Sequence, residues 1–269
     1  METNKYPKFN FKKRLVSMIK VDFRRMCTTP IYYIILGVAL IVPILILVMT
    51  TLMVGTESVD HVTGEVTIME PIFTNVWQII ASIPSTSSEM SLDLTTMCNI
   101  DMMFFAGAVF LCIFVSEDFK SGYAKNLFTI RSSKVDYIIS KTLIGIVSGI
   151  TILIAFFIGA LIGGALASLS FELVGVSVIN IIMCMLSKIL LVAVFVPIFL
   201  VMSVIGKQKT WLSMILSFAA SMLLFTMVSM ISPLNATFMN VVLCLAGGIM
   251  FSVGIGSISN LVLKKTSLV

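Results

Sequence analysis

Residues 117–141, EDFKSGYAKNLFTIRSSKVDYIISK, are the one long polar passage in the second half of the chain, and apolar sequence flanks them on both sides. Before them stands IDMMFFAGAVFLCIFVS (100–116) and after them TLIGIVSGITILIAFFIGALIGGALAS (142–168). A hydrocarbon core about 30 Å thick takes roughly 20 apolar residues to cross as a helix. The passage therefore reads as a loop between two membrane spans, and the fold follows by working outward from it. Six apolar runs qualify, at 31–54, 100–116, 142–168, 188–205, 211–231 and 238–262. With 58% apolar and 12% charged residues and a mean hydropathy of +1.10, the expectation is an all-α polytopic protein with six transmembrane helices.

A net charge of +5 would suit a nucleic-acid binder if read alone, but the positions of the charges argue against one. Eight basic residues precede the first run, five lie in the polar passage, two in the turn after the fourth run and two at the C-terminus. The alternate loops, 55–99, 169–187 and 232–237, hold no Lys or Arg. Basic residues are retained on the cytoplasmic side, so both termini are expected inside a cell membrane. Of the 18 basic residues only Lys188 departs from this sorting.

The five cysteines (Cys27, Cys98, Cys112, Cys184, Cys244) are scattered, and His61 is the only histidine. Neither a disulfide framework nor a metal site is expected. No G-x4-G-K-[ST] phosphate loop occurs, so the chain is not expected to hydrolyse ATP, and one histidine provides no nucleophilic triad.

Residues 1–30 read as a cytoplasmic N-terminus ahead of a single transmembrane domain, 31–269. Within them Phe11, Leu15, Met18, Ile19, Phe23 and Met26 recur at helical spacing with lysines and arginines between. That pattern describes an amphipathic helix anchored in the interface, with Phe11, Leu15, Ile19 and Phe23 as anchors. Pro43 falls near the middle of the first run, where a kink is expected. The outer segment, 55–99, carries six acids and one apolar part, EPIFTNVWQIIASI, suited to packing back on the bundle or lying in the outer interface. Asp101 lies close enough to the outer end of its run to reach water.

Small residues at about four-residue intervals, Gly145, Gly149, Gly159 and Gly163 in the third run and Gly248, Ser252 and Gly256 in the sixth, let helices approach closely. The stretch FELVGVSVINIIMCM (171–185) is followed by Lys188, and residues 172–205 taken as one span would be far too long and would place a lysine in hydrocarbon, at about 2.5–3.5 kcal/mol on insertion scales. The expectation is an outer interfacial or re-entrant segment at 171–186, with Lys188 snorkelling at the outer end of the fourth span.

Within the polar passage, Tyr123, Leu127, Phe128 and Ile130 line one side of a short helix, and Val135, Ile138 and Ile139 one side of the next. The order of residues is Ser116-Glu117, then Gly122, then Lys125-Asn126-Leu127, then Arg131-Ser132-Ser133-Lys134, then Lys141. This pattern, with the interfacial helix and the six-span plan, resembles the ABC-2 family of transporter permeases, in particular the bacterial branch of lantibiotic-immunity and bacitracin-type exporters. The resemblance implies a coupling helix in this loop, docked on a separate ATP-binding cassette ATPase that carries the ATP and Mg, and a second permease copy or similar chain. It also implies that Glu117, Gly122, Tyr123, Lys125, Asn126, Leu127, Arg131 and Lys134 lie at or near that contact. The expected function is export of an amphipathic or lipophilic substrate such as a peptide, drug or lipid. The alternative is a non-transporting membrane scaffold or sensor that binds a ligand through its acidic outer segment.

Overall fold

The computed structural model describes residues 11–59, 66–68, 71–81, 98–130, 134–173 and 175–265. Helices dominate: α1 (Phe11–Thr28), α2 (Pro30–Leu52), α3 (Met103–Lys120), α4 (Tyr123–Ile130), α5 (Val135–Leu166), α6 (Val178–Gly206), α7 (Thr210–Ile231) and α8 (Phe238–Lys265). Five helical stretches are long and apolar enough to cross a membrane: Pro30–Leu52, Ile100–Lys120, Val135–Leu166, Val178–Gly206 and Phe238–Leu263. The first turn of the second of these, Ile100–Met102, is 3-10 and leads directly into α3. A further apolar stretch, Thr210–Phe225, belongs to α7. The chain is a multi-pass membrane protein. Two short strands, β1 (Glu57–Val59) and β2 (Val66–Ile68), pair antiparallel after α2.

Polar contacts show which helix ends meet. Lys120 at the end of α3 donates to Thr210 at the start of α7 (2.7 Å), and Lys134 before α5 donates to the Leu263 carbonyl in α8 (2.6 Å). The α1 helix packs on the first turns of α5. These ends carry most of the described lysines and arginines, and they form what is here termed the basic end. At the opposite end the segment 71–81 folds back on the bundle. Asn75 caps a 3-10 turn, Val76–Ile79, and its amide donates to the Glu172 carbonyl (2.6 Å), while the Trp77 indole donates to the Phe171 carbonyl (3.1 Å). Val76, Ile79 and Ile80 are thereby fully buried.

Close approach of helices is set by small residues. The α2 and α5 helices pack along one another, with Gly159 against the Leu40 carbonyl and the Pro43 ring, and Gly163 with Ile44 backbone where a Cβ would stand (2.8 Å). Pro43 lies within α2, which continues through it. On α6, Val196 and Val192 fill the spaces beside Gly145 and Gly149. Gly248 faces Ala193 and Leu190 of α6, and Ser252 donates to the Ala193 carbonyl (3.1 Å). Gly256, by contrast, has open space where a Cβ would stand.

Three sequence expectations are corrected. No break separates 171–186 from Lys188: α6 begins at Val178, where the Ser177 side chain accepts from the Asn180 amide (3.3 Å), and runs unbroken to Gly206. Lys188 does not snorkel. It stands ten residues into α6, about 15 Å along a helix rising 1.5 Å per residue, and is 0% exposed. It is accommodated there because Asp101, itself buried rather than at the water boundary, supplies a carboxylate.

Gly163→Ala would press a methyl group on the α2 backbone, and overpacking of this kind costs about 1–3 kcal/mol. The purified protein should unfold several degrees lower in detergent. Gly254→Ala, with open space at its Cβ position, should leave the unfolding temperature unchanged or slightly raised.

Candidate functional site

At the basic end, beneath the polar passage, four charged side chains from three helices meet in the protein interior. Lys141, in the second turn of α5, is 0% exposed, and its Nζ lies 2.9 Å from Asp22 Oδ1 and 2.7 Å from Asp118 Oδ2. Asp22 comes from α1 and Asp118 from the last turn of α3, and both are equally inaccessible. The half-exposed Arg25 of α1 adds the second cation, its guanidinium 2.7 Å from Asp118 Oδ1 and 3.7 Å from Asp22 Oδ1. Two carboxylates and two cations neutralise one another, the condition under which buried charge is tolerated.

Neutral groups complete the cluster. The Tyr137 hydroxyl donates to Asp118 Oδ2 (3.0 Å), and the Ser140 hydroxyl donates to Asp22 Oδ2 (2.6 Å). Aromatic faces take up the outward sides of the cations: Lys141 Nζ is 4.2 Å from the centre of the Phe114 ring, and Arg25 lies 4.6 Å over Tyr123. Such cation–π contacts strengthen as water is excluded. Burial by itself lowers the Arg25 pKa, but Asp118 and then Asp22 outweigh it and hold the value above the ordinary one for arginine, so the guanidinium stays charged. A looser ionic contact, Arg14 Nε to Asp136 Oδ2 at 3.5 Å, joins α1 to the first turn of α5 just beyond the cluster.

The cluster fixes the polar passage from below. Gly122, with φ +73°, makes the corner between α3 and α4, a backbone conformation that glycine adopts without steric penalty. The Ser121 amide donates to the Glu117 carbonyl (2.9 Å), and the Asn126 amide to the Gly122 carbonyl (3.0 Å), so one helix ends and the next begins within this corner. Helix α4 buries Ala124 and Phe128 against the bundle, Phe128 meeting Tyr137 edge-on (5.3 Å). Glu117, Lys125, Asn126 and Thr129 face outward, and Leu127 is half-buried.

The residues singled out in the passage thus divide. Glu117, Lys125 and Asn126 form an exposed surface around Gly122, whereas Tyr123 is drawn under Arg25. Lys134 is turned inward to the Leu263 carbonyl and the Phe128 ring (5.4 Å to its centre). Arg131 lies outside the described residues. Glu117 has no ion pair with Lys120 among the described residues, because Lys120 is committed to Thr210. On α1, Phe11 and Phe23 are exposed and Leu15 and Ile19 half-buried, while the stripe that packs on α5 is Met18, Asp22 and Met26. Asp22 and Asp118 carry no obvious mark in the sequence. The available signal was an acid at four-residue spacing between two buried methionines, on a helix whose other charges are all basic.

A second buried ion pair lies toward the opposite end. Lys188 Nζ is 2.6 Å from Asp101 Oδ1, and the Asp101 amide is held by the Asn99 side chain (2.9 Å). Ser187 and Cys184 flank Lys188 on α6, and the Cys184 thiol reaches the Ser232 carbonyl at the end of α7 (3.7 Å).

Together these features define the class: a helical multi-pass membrane protein with a buried ionic cluster at one end and a buried ion pair toward the other. No protein-family model, curated protein or solved structure matches the chain. Among the described residues no group of histidine, cysteine and carboxylate side chains is placed to hold a metal ion.

Removing one member of a buried pair strands the other and costs about 3–5 kcal/mol, while replacing both with well-packed neutral groups is often tolerated. Lys141→Met and Lys188→Met should each lower the unfolding temperature in detergent markedly. The double variant Asp101→Asn/Lys188→Met should recover most of the loss seen in Lys188→Met, and equal stability of all four proteins would show that the pairs are not held as ions.

Proposed function

We propose that the chain is the permease subunit of an ATP-driven ABC-2 type transporter, with six spans, both termini in the cytoplasm and the basic end facing its ATPase. In this reading α7 is the fifth span. The observation that carries the proposal is the corner at Gly122. A short helix, α4, sits there between two membrane-length helices, held by Ala124 and Phe128 and presenting Lys125 and Asn126 outward beside the exposed Glu117 in the last turn of α3. A helix seated by its apolar side, with a polar face free, suits docking in a cleft of a partner.

The ionic cluster beneath it supports a role in transmitting force. Displacement of α4 reaches α3 through the Gly122 corner, α5 through Phe128 and Tyr137, and α1 through Tyr123 and Arg25. Packed helices move as rigid bodies about such contacts. When ATP and Mg bind at the partner ATPase, closure of the ATPase pair would push on α4 and tilt α3 and α5 together, opening a path between this chain and a second permease copy or a similar chain. The spans carry few charges, and the buried ones described there, Asp101, Asp118, Lys141 and Lys188, are paired, which favours an amphipathic or lipophilic substrate such as a peptide, drug or lipid, moved outward.

The test is affinity purification of the tagged chain from its native membrane in mild detergent, with identification of the proteins that accompany it. An ATP-binding cassette ATPase should accompany the parent and fall at least tenfold with Glu117→Lys or Lys125→Glu, both on the exposed face of the corner. Absence of any ATPase from the parent preparation, under conditions that retain other membrane complexes, would overturn the proposal.

A further inference from the structure

A cavity of about 590 Å³ opens at the basic end between the α3–α4 corner and the turn joining α6 to α7. Four lysines border it, Lys120 and Lys125 on one wall and Lys207 and Lys209 on the other, and among the described residues no acidic side chain does. Among the described residues none of the four has a carboxylate within ion-pair distance. Like charges gathered around one space repel, and water relieves this only in part. Lys207 is moreover held at φ +50°, a backbone conformation unfavourable for a residue with a side chain. Strain of this kind is kept where the surrounding structure imposes it, often at a site of binding. Here it permits a turn in which Lys207 and Lys209 both border the cavity.

The remaining lining distinguishes the occupant. Phe119, Ile205 and Leu212 give the same space an apolar wall. That wall continues onto the outer surface of the bundle, where Ile205, Trp211 and Ile215 are exposed on α6 and α7. A soluble anion would use the lysines and leave this wall idle. An acidic peptide would have no use for an apolar track running along two membrane helices.

We propose that the cavity binds the phosphate headgroup of an anionic phospholipid from the leaflet at the basic end, with Lys120, Lys125, Lys207 and Lys209 around the phosphate and an acyl chain along Ile205, Leu212 and Ile215. Basic pockets between membrane helices are suited to such headgroups. The lipid then bridges the α3–α4 corner to the α6–α7 turn, which the Lys120–Thr210 hydrogen bond already joins on the protein side. The inference stands on the cavity and its lining and does not depend on the transport reading.

The experiment follows thermal unfolding of the purified full chain in a neutral detergent during titration with phosphatidylglycerol, phosphatidylcholine or inorganic phosphate. Phosphatidylglycerol should raise the unfolding temperature saturably, with little response to the other two. Lys207→Gln/Lys209→Gln should weaken its apparent affinity about 25-fold, from about fivefold per lysine. Lys125→Gln, on the opposite wall and outside the strained turn, should weaken it about fivefold should the double variant prove unstable. Lys12→Gln/Lys13→Gln, an equal loss of charge on α1, should change it little.

Four results would overturn the proposal: phosphatidylcholine stabilising as well as phosphatidylglycerol; millimolar phosphate matching the lipid; equal losses in the two double variants; or an unchanged lipid response in Lys207→Gln/Lys209→Gln. The last, with loss of a co-purifying ATPase, would assign the cavity to a protein contact. Absence of any ATPase from the parent would leave the lipid result standing and refute only the transport reading.

Discussion

The Lys141 ammonium, shared between Asp22 and Asp118, is the contact on which the basic end of the molecule depends. The ammonium and both carboxylates are inaccessible to water, and each of these buried charges is matched by the others. Removing any one element, the interfacial helix α1, the end of α3 or the start of α5, would leave an unmatched ion. This gives the cluster a property that apolar packing lacks. Apolar surfaces slide past one another at small cost, whereas a buried ammonium between two carboxylates tolerates few arrangements. The three helices are therefore constrained in register as well as in proximity, and Arg25 and Tyr123 extend that constraint to α4.

The rest of the bundle is held differently. Glycines at 159 and 163 bring α2 against α5 until backbone meets backbone, and Gly145 and Gly149 receive valines from α6. In a membrane the hydrophobic effect does not distinguish helix from lipid, so this close contact, with a few internal hydrogen bonds and ion pairs, supplies the association. The ionic cluster at one end and the Lys188–Asp101 pair toward the other then define two points where α3 cannot rotate freely. Between them α3 presents mainly apolar and small residues to its neighbours. A helix fixed at two polar points and smooth between them is well suited to tilting as a unit, which is the property the proposed function uses.

The polar passage illustrates how local sequence and tertiary context divide the work. Gly122 and the apolar spacing of α4 are visible in the sequence, and they do form a corner and a short docked helix. Which neighbours face out is less accessible. Glu117 and Asp118 are adjacent and chemically similar, yet a helix turns about 100° per residue, so one is exposed and the other lies at the centre of the cluster. Lys134 and Lys125 divide in the same way, one turned inward to the Leu263 carbonyl and the other exposed.

What the sequence by itself determined is the class of molecule: apolar runs of membrane length, basic residues sorted to alternate loops, and small residues where helices would touch. Those are properties of composition and spacing along one chain, and the bilayer acts on each segment independently. Only the tertiary structure decided the fate of the charges within and beside the helices. Taken alone, Lys188 had to reach the surface and its helix had to be broken to allow this, because an unpaired ammonium in hydrocarbon is costly. Asp101 lies 87 residues away in the chain, and Asp22 is 119 residues from Lys141. No local pattern announces such partners, and the cost of burying an ion falls only when the fold brings the opposite charge within 3 Å.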